Sequence, residues 1–114
     1  MSDPVIYHNP RCSTSRKTLA LLRERGAQPT VVEYLKTPPT RAQLAQLIDD
    51  AGIAVRDAVR TREGVYAELN LADADDDALL DAMAAHPILI QRPFVTTDKG
   101  TRLARPIENV TEIL

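Results

Sequence analysis

This 114-residue chain is poor in the residues that carry redox and metal chemistry, with one cysteine and two histidines. A lone cysteine excludes an internal disulfide and leaves no Cys pair for a zinc site, and two histidines fall short of the usual metal-ligand sets. No metal is therefore expected. Charge of one sign is also lacking: fourteen bases against sixteen acids give a net charge of -2, with no excess to draw the chain to nucleic acid or to a membrane surface. No apolar run approaches the roughly 18 residues of a membrane span, and the opening MSDPVIYHNP has neither the basic nor the apolar region of a secretory signal. The expectation is a cytoplasmic protein with no nucleic-acid and no membrane partner. Repeats, low-complexity tracts and linkers are missing as well. With 44% apolar residues the length suffices for one core, so residues 1–114 are expected to form a single domain.

What is present is regularly punctuated. Val5, Ile6 and Tyr7 read as a short strand running into the Asn9-Pro10 turn. Ser13 or Thr14 can cap a helix that carries Leu19 and Leu22 and stops at Gly26, and Pro29 opens a second strand over residues 30–34. The first third is thus a βαβ unit around the cysteine. Thr40 is the expected cap of a helix with Leu44, Leu47, Ile48 and Ala51 on one face, ended by Gly52. Residues 54–59 read as another short helix. The acidic run 73–77 reads as a solvated start of a helix bearing Leu79, Leu80, Met83 and Ala84, because adjacent carboxylates suit the positive end of the macrodipole. Residues 93–97 and 101–104 flank the turn Asp98-Lys99-Gly100 as a hairpin, and Ile107, Val110 and Leu114 mark a closing helix. The pattern is α/β, with a sheet of about four strands.

Cys12 lies in HNPRCSTSR, residues 8–16. A free cysteine is often only a small buried hydrophobe. Here it follows a strand and a turn and stands at a helix N-terminus, where free N–H groups and the helix dipole favour a thiolate. His8 and Arg16 each lie four residues away and, as cations, would lower its pKa. The polar neighbours Arg11, Ser13 and Ser15 argue against a dry core position. A nucleophilic thiolate is the favoured reading. A thiolate needs a substrate, and Arg60, Arg92 and Arg105 stand at element edges, the latter two directly before prolines. Guanidinium forks and helix N-terminal N–H groups orient tetrahedral oxyanions.

Four stretches together, YHNPRCSTSR (7–16), YLKTPP (34–39), HPILIQRP (86–93) and GTRLARP (100–106), closely resemble the glutaredoxin-coupled arsenate reductase family along essentially the whole chain. The Arg11-Cys12-Ser13 form resembles one branch of that family. The resemblance implies a thioredoxin/glutaredoxin-like fold of about four strands with a helical insertion at about residues 40–85. It implies Cys12 as the nucleophile and His8 as the group favouring its thiolate. It further implies Arg60, Arg92 and Arg105 as oxyanion ligands, Ser15 as a supporting residue, and a cis Arg92-Pro93 bond.

The activity so implied is reduction of arsenate, with the Cys12 thiolate forming a covalent adduct on arsenic. Since no second cysteine is available, glutathione would be the reducing co-substrate and glutaredoxin the partner that removes the mixed disulfide, with no bound organic cofactor needed. Two alternatives stand beside it. One is a general glutathione-linked thiol oxidoreductase, which would not require three convergent arginines. The other is a non-enzymatic redox regulator of the same superfamily, which typically carries Cys-x-x-Cys where this chain has Ser15.

Overall fold

The computed structural model describes residues 3–114. They form two compact units: the first joins the stretch ending at Thr37 with Arg92–Leu114, and the second is Pro38–Gln91.

The first unit is built on a four-stranded sheet of order β2-β1-β3-β4. Strand β1 (Val5–His8) pairs in parallel with β2 (Thr30–Glu33), Val5 opposite Thr30 and His8 opposite Glu33. On its other side β1 pairs antiparallel with β3 (Phe94–Thr97), which turns back into β4 (Gly100–Leu103). These directions bring the carboxyl ends of β1, β2 and β4 and the amino end of β3 to one edge of the sheet. That edge receives the loops after His8, Glu33 and Leu103 and the loop before Phe94. The hairpin loop is two residues, Asp98 and Lys99. Gly100 opens β4 with φ +144°, a conformation that side chains rarely adopt.

Helix α1 (Ser13–Glu24) links β1 to β2. Its N-cap is Cys12, where a Ser13 or Thr14 cap was expected. At its other end Gly26, at φ +83°, donates to the Arg23 carbonyl, the expected left-handed stop. Leu22 packs with Ile6, Val95, Ala104, Val110 and Ile113 into the core of this unit. The closing segment Ile107–Ile113 is a 3₁₀ helix, whose three-residue period buries Val110 and Ile113; the α-helical spacing expected from the sequence would have chosen Leu114. Two peptide bonds are cis, the expected Arg92-Pro93 and also Arg105-Pro106.

The second unit is helical. Helix α2 (Arg41–Ala51) starts at a complete capping box, with Gln43 N–H donating to Thr40 Oγ1 at 3.1 Å and Thr40 N–H to Gln43 Oε1 at 2.9 Å, and it ends at left-handed Gly52. The segment expected as a helix over residues 54–59 is a single 3₁₀ turn, Val55–Ala58. A short helix with no clear sequence signal, α3 (Gly64–Glu68), follows. Helix α4 (Asp76–Ala85) is capped by Asp75, and its Leu79, Leu80 and Met83 are buried. Its acidic start behaves as the dipole argument requires, and Arg41 reaches across from α2 to Asp77 and Asp81. Among the described residues no group of three or more His, Cys, Asp or Glu could hold a metal ion. No described helix is long and apolar enough to cross a membrane.

Candidate active site

The loop between β1 and α1 is organised by Asn9. Its carbonyl accepts from Cys12 N–H at 3.0 Å, closing a four-residue turn with Pro10 at the second position, where the fixed proline φ suits it. Its side-chain Oδ1 accepts from Arg11 N–H at 2.9 Å, an Asx turn within the first turn. Arg16 donates to the Pro10 carbonyl at 2.9 Å and closes the loop from outside. The Asn-Pro dipeptide signals a turn in the sequence, but not that Asn9 is 3% exposed and holds the loop from within.

Cys12 sits at the N-cap of α1 with extended backbone angles, φ -94° and ψ 121°. An N-cap side chain is aimed at the N–H groups of the second and third helical residues, which here are Thr14 and Ser15. The Cys12 side chain makes no capping hydrogen bond, but the Ser15 and Thr14 N–H groups favour its anion. Burial of the thiol raises its pKa. The Arg92 guanidinium, through a hydrogen bond and its charge, and the N–H groups of Ser15 and Thr14 outweigh burial and bring it down to about 7. The helix N-terminus acts as the sequence suggested. The cationic neighbour does not: the charge at the sulfur comes from Arg92, eighty positions along the chain, while Arg16 is engaged at Pro10.

His8 plays a different part from that of a cation beside the thiol. It is 6% exposed, and burial, with Arg23 and Arg16 assisting and Glu33 opposing, lowers its pKa below the ordinary value, so the ring favours its neutral form. Its Nδ1 lies 2.7 Å from Ser15 Oγ, and that oxygen also accepts from Asn9 N–H at 3.0 Å. Ser15, fully buried, thus ties the end of β1, the turn and the first turn of α1 together.

Arg92 and Arg105 meet at the edge of the sheet. Arg105 Nη1 donates to the Arg92 carbonyl at 3.0 Å. Burial opposes the Arg92 charge, but the Cys12 sulfur and the Tyr34 hydroxyl favour it and raise its pKa. Arg92 Nε and Nη1 are out of solvent and have no hydrogen-bond acceptor among the described residues. Beside this cluster a groove of about 320 Å³ is lined by Thr14, Arg105, Pro106, Ile107 and Glu108. Arg60 belongs to the second unit, where its Nε pairs with Glu63 at 3.2 Å and its Nη1 donates to Gln91 Oε1 at 3.3 Å. These two partners of Arg60, and Tyr34, had no signal in the sequence.

Comparison with known proteins agrees along the chain. The model of the ArsC family matches residues 7–113. An arsenate reductase of Rhizobium meliloti is 58% identical over 96% of this chain and 79% of its own length, and one of Escherichia coli K12 is 54% identical over 100% and 82%. Among solved structures, an arsenate reductase from Vibrio cholerae superposes with a TM-score of 0.94 at 50% identity, covering 98% of both chains.

Proposed function

The chain belongs to the ArsC family, a thioredoxin-like fold, and from that premise we propose that it reduces arsenate to arsenite through the Cys12 thiolate. The observation that carries this reading is the Cys12–Arg92 pair. A sulfur with a pKa of about 7 is substantially anionic at neutral pH. Beside it, Arg92 holds two desolvated N–H donors without acceptors among the described residues. Leaving such donors unpaired is costly, and an oxyanion bound at the sulfur would satisfy them.

In the first step the thiolate attacks arsenic(V), an As–S bond forms, and one arsenic oxygen leaves as water after protonation. Arg92 and Arg105 balance the charge on the remaining oxygens, and the N–H groups at the start of α1 assist. Arg60 is proposed as the third guanidinium, on the strength of its place in the family pattern. Glutathione thiolate then attacks the Cys12 sulfur. An S–S bond forms, the As–S bond breaks, and its electron pair passes to arsenic, which departs as arsenite in the +3 state. Glutaredoxin next takes the glutathione from the Cys12 mixed disulfide by thiol exchange and restores the thiolate. The single cysteine supports an external thiol, since the chain has no resolving partner of its own. Reliance on glutathione as reductant supports a cytoplasmic location, where thiols are kept reduced.

Arsenite formation with glutathione and glutaredoxin tests the reading. The wild type should turn over, Cys12→Ser should fall to background, and Arg92→Ala should lose roughly 10²-fold, the scale for removing one oxyanion donor. Equal rates for wild type and Cys12→Ser would overturn it. Reduction of glutathione mixed disulfides by a wild type inert toward arsenate would favour a general thiol oxidoreductase instead.

A further inference from the structure

We propose that Tyr34 is a positioning residue, whose hydroxyl at the carboxyl end of β2 holds the Arg92 guanidinium against the Cys12 sulfur. The inference rests on Cys12 and Arg92 being the reacting pair. Its first support is topological. Residue 34 follows β2 at the edge where β1 gives way to the Asn9–Cys12 turn and where Arg92 leads into β3. One strand end thus supplies the sulfur, another the guanidinium and a third the phenol.

The second support is burial. Tyr34 is 1% exposed and its hydroxyl is out of solvent. A tyrosine used only for packing could be phenylalanine at lower cost, because a buried phenol is polar; its oxygen can accept from a guanidinium, which has only donors to offer. The third is that the Tyr34 hydroxyl is one of the two groups favouring the charge of Arg92, the other being the sulfur itself. Arg92 is long and flexible, and ordering such a side chain costs rotamer entropy. A fixed phenol beside it spends that entropy before substrate arrives. Tyr34 touches neither arsenic nor sulfur in this role and acts only through Arg92.

The test is the pH dependence of Cys12 alkylation by iodoacetamide, measured on wild type, Tyr34→Phe, Arg92→Ala and the double variant. No arsenate is needed. Tyr34→Phe keeps the ring, and an unchanged melting temperature verifies its packing. Its midpoint should move up by about half a unit, roughly a threefold loss of thiolate below the midpoint. In the Arg92→Ala background the same substitution should move nothing, since the two residues act as one unit. With glutathione and glutaredoxin present, Tyr34→Phe should raise KM for arsenate. A wild-type midpoint near 7 that Tyr34→Phe leaves in place, or a shift of equal size with and without Arg92, overturns the assignment of Tyr34 alone. A wild-type midpoint at the ordinary value of about 8.5 overturns the thiolate reading and this inference with it.

Discussion

The hydroxyl oxygen of Ser15 lies 2.7 Å from Nδ1 of His8, with Ser15 0% and His8 6% exposed. That oxygen also accepts from Asn9 N–H, and the lowered pKa of His8 favours a neutral ring. The Cys12 loop is therefore set by a chain of neutral hydrogen bonds, and its anion is stabilised from the other side, by Arg92.

Ser15→Ala cuts this chain in the middle and strands two buried groups, Asn9 N–H and His8 Nδ1. The expected loss in a urea melt is about 1–3 kcal/mol, the cost of leaving buried polar groups unpaired. The Ser15 N–H still faces the sulfur, but on a slackened turn, so the Cys12 midpoint should also rise. A variant as stable as the wild type would contradict the network.

His8 gives the fold a pH dependence of definite sign. Its folded pKa is below the unfolded value of about 6.5. In the window between the two, the unfolded chain binds more protons, so stability is complete above 6.5 and is lost as pH falls toward the folded value. Urea midpoints taken from pH 7.5 downward should show this loss. His8→Gln, which does not titrate, should show a shallower decline over the same interval; identical slopes would remove His8 as its source.

Thr40→Ala removes one half of the capping box on α2 and leaves Gln43 N–H without its acceptor. The expected cost is about 1 kcal/mol, read from a shifted denaturation midpoint. Since Thr40 takes no part in the thiol chemistry, the Cys12 alkylation profile should remain as in the wild type. A change in that profile would mean that the capping residue influences the sulfur.

The strands and the long helices were legible because each carries a local signal: alternation and a turn around β1, a cap and a glycine stop around α2, an acidic start on α4. The closing segment was found, but its period was not, since Ile107, Val110 and Ile113 recur at three residues and Leu114 offers a competing fourth. Helix α3 had neither cap nor face to reveal it.

At the site, Cys12 was visible from its place after a strand and turn. The source of its activation was not. Proximity in sequence pointed to His8 and Arg16, whereas Arg92 reaches the sulfur only through the pairing of β1 with β3, a nonlocal contact that no spacing encodes. Tyr34 was hidden for the same reason: its neighbour Arg92 lies 58 positions away, and its burial alone resembles ordinary packing.

One sulfur is kept anionic near neutral pH by a helix N-terminus and a distant arginine. The direct measurement is the rate of Cys12 alkylation against pH for wild type and Arg92→Ala. The wild-type midpoint should fall at about 7, and that of Arg92→Ala should move up toward about 8.5. A wild-type midpoint already at 8.5, or an arginine variant that titrates like the wild type, would contradict the account.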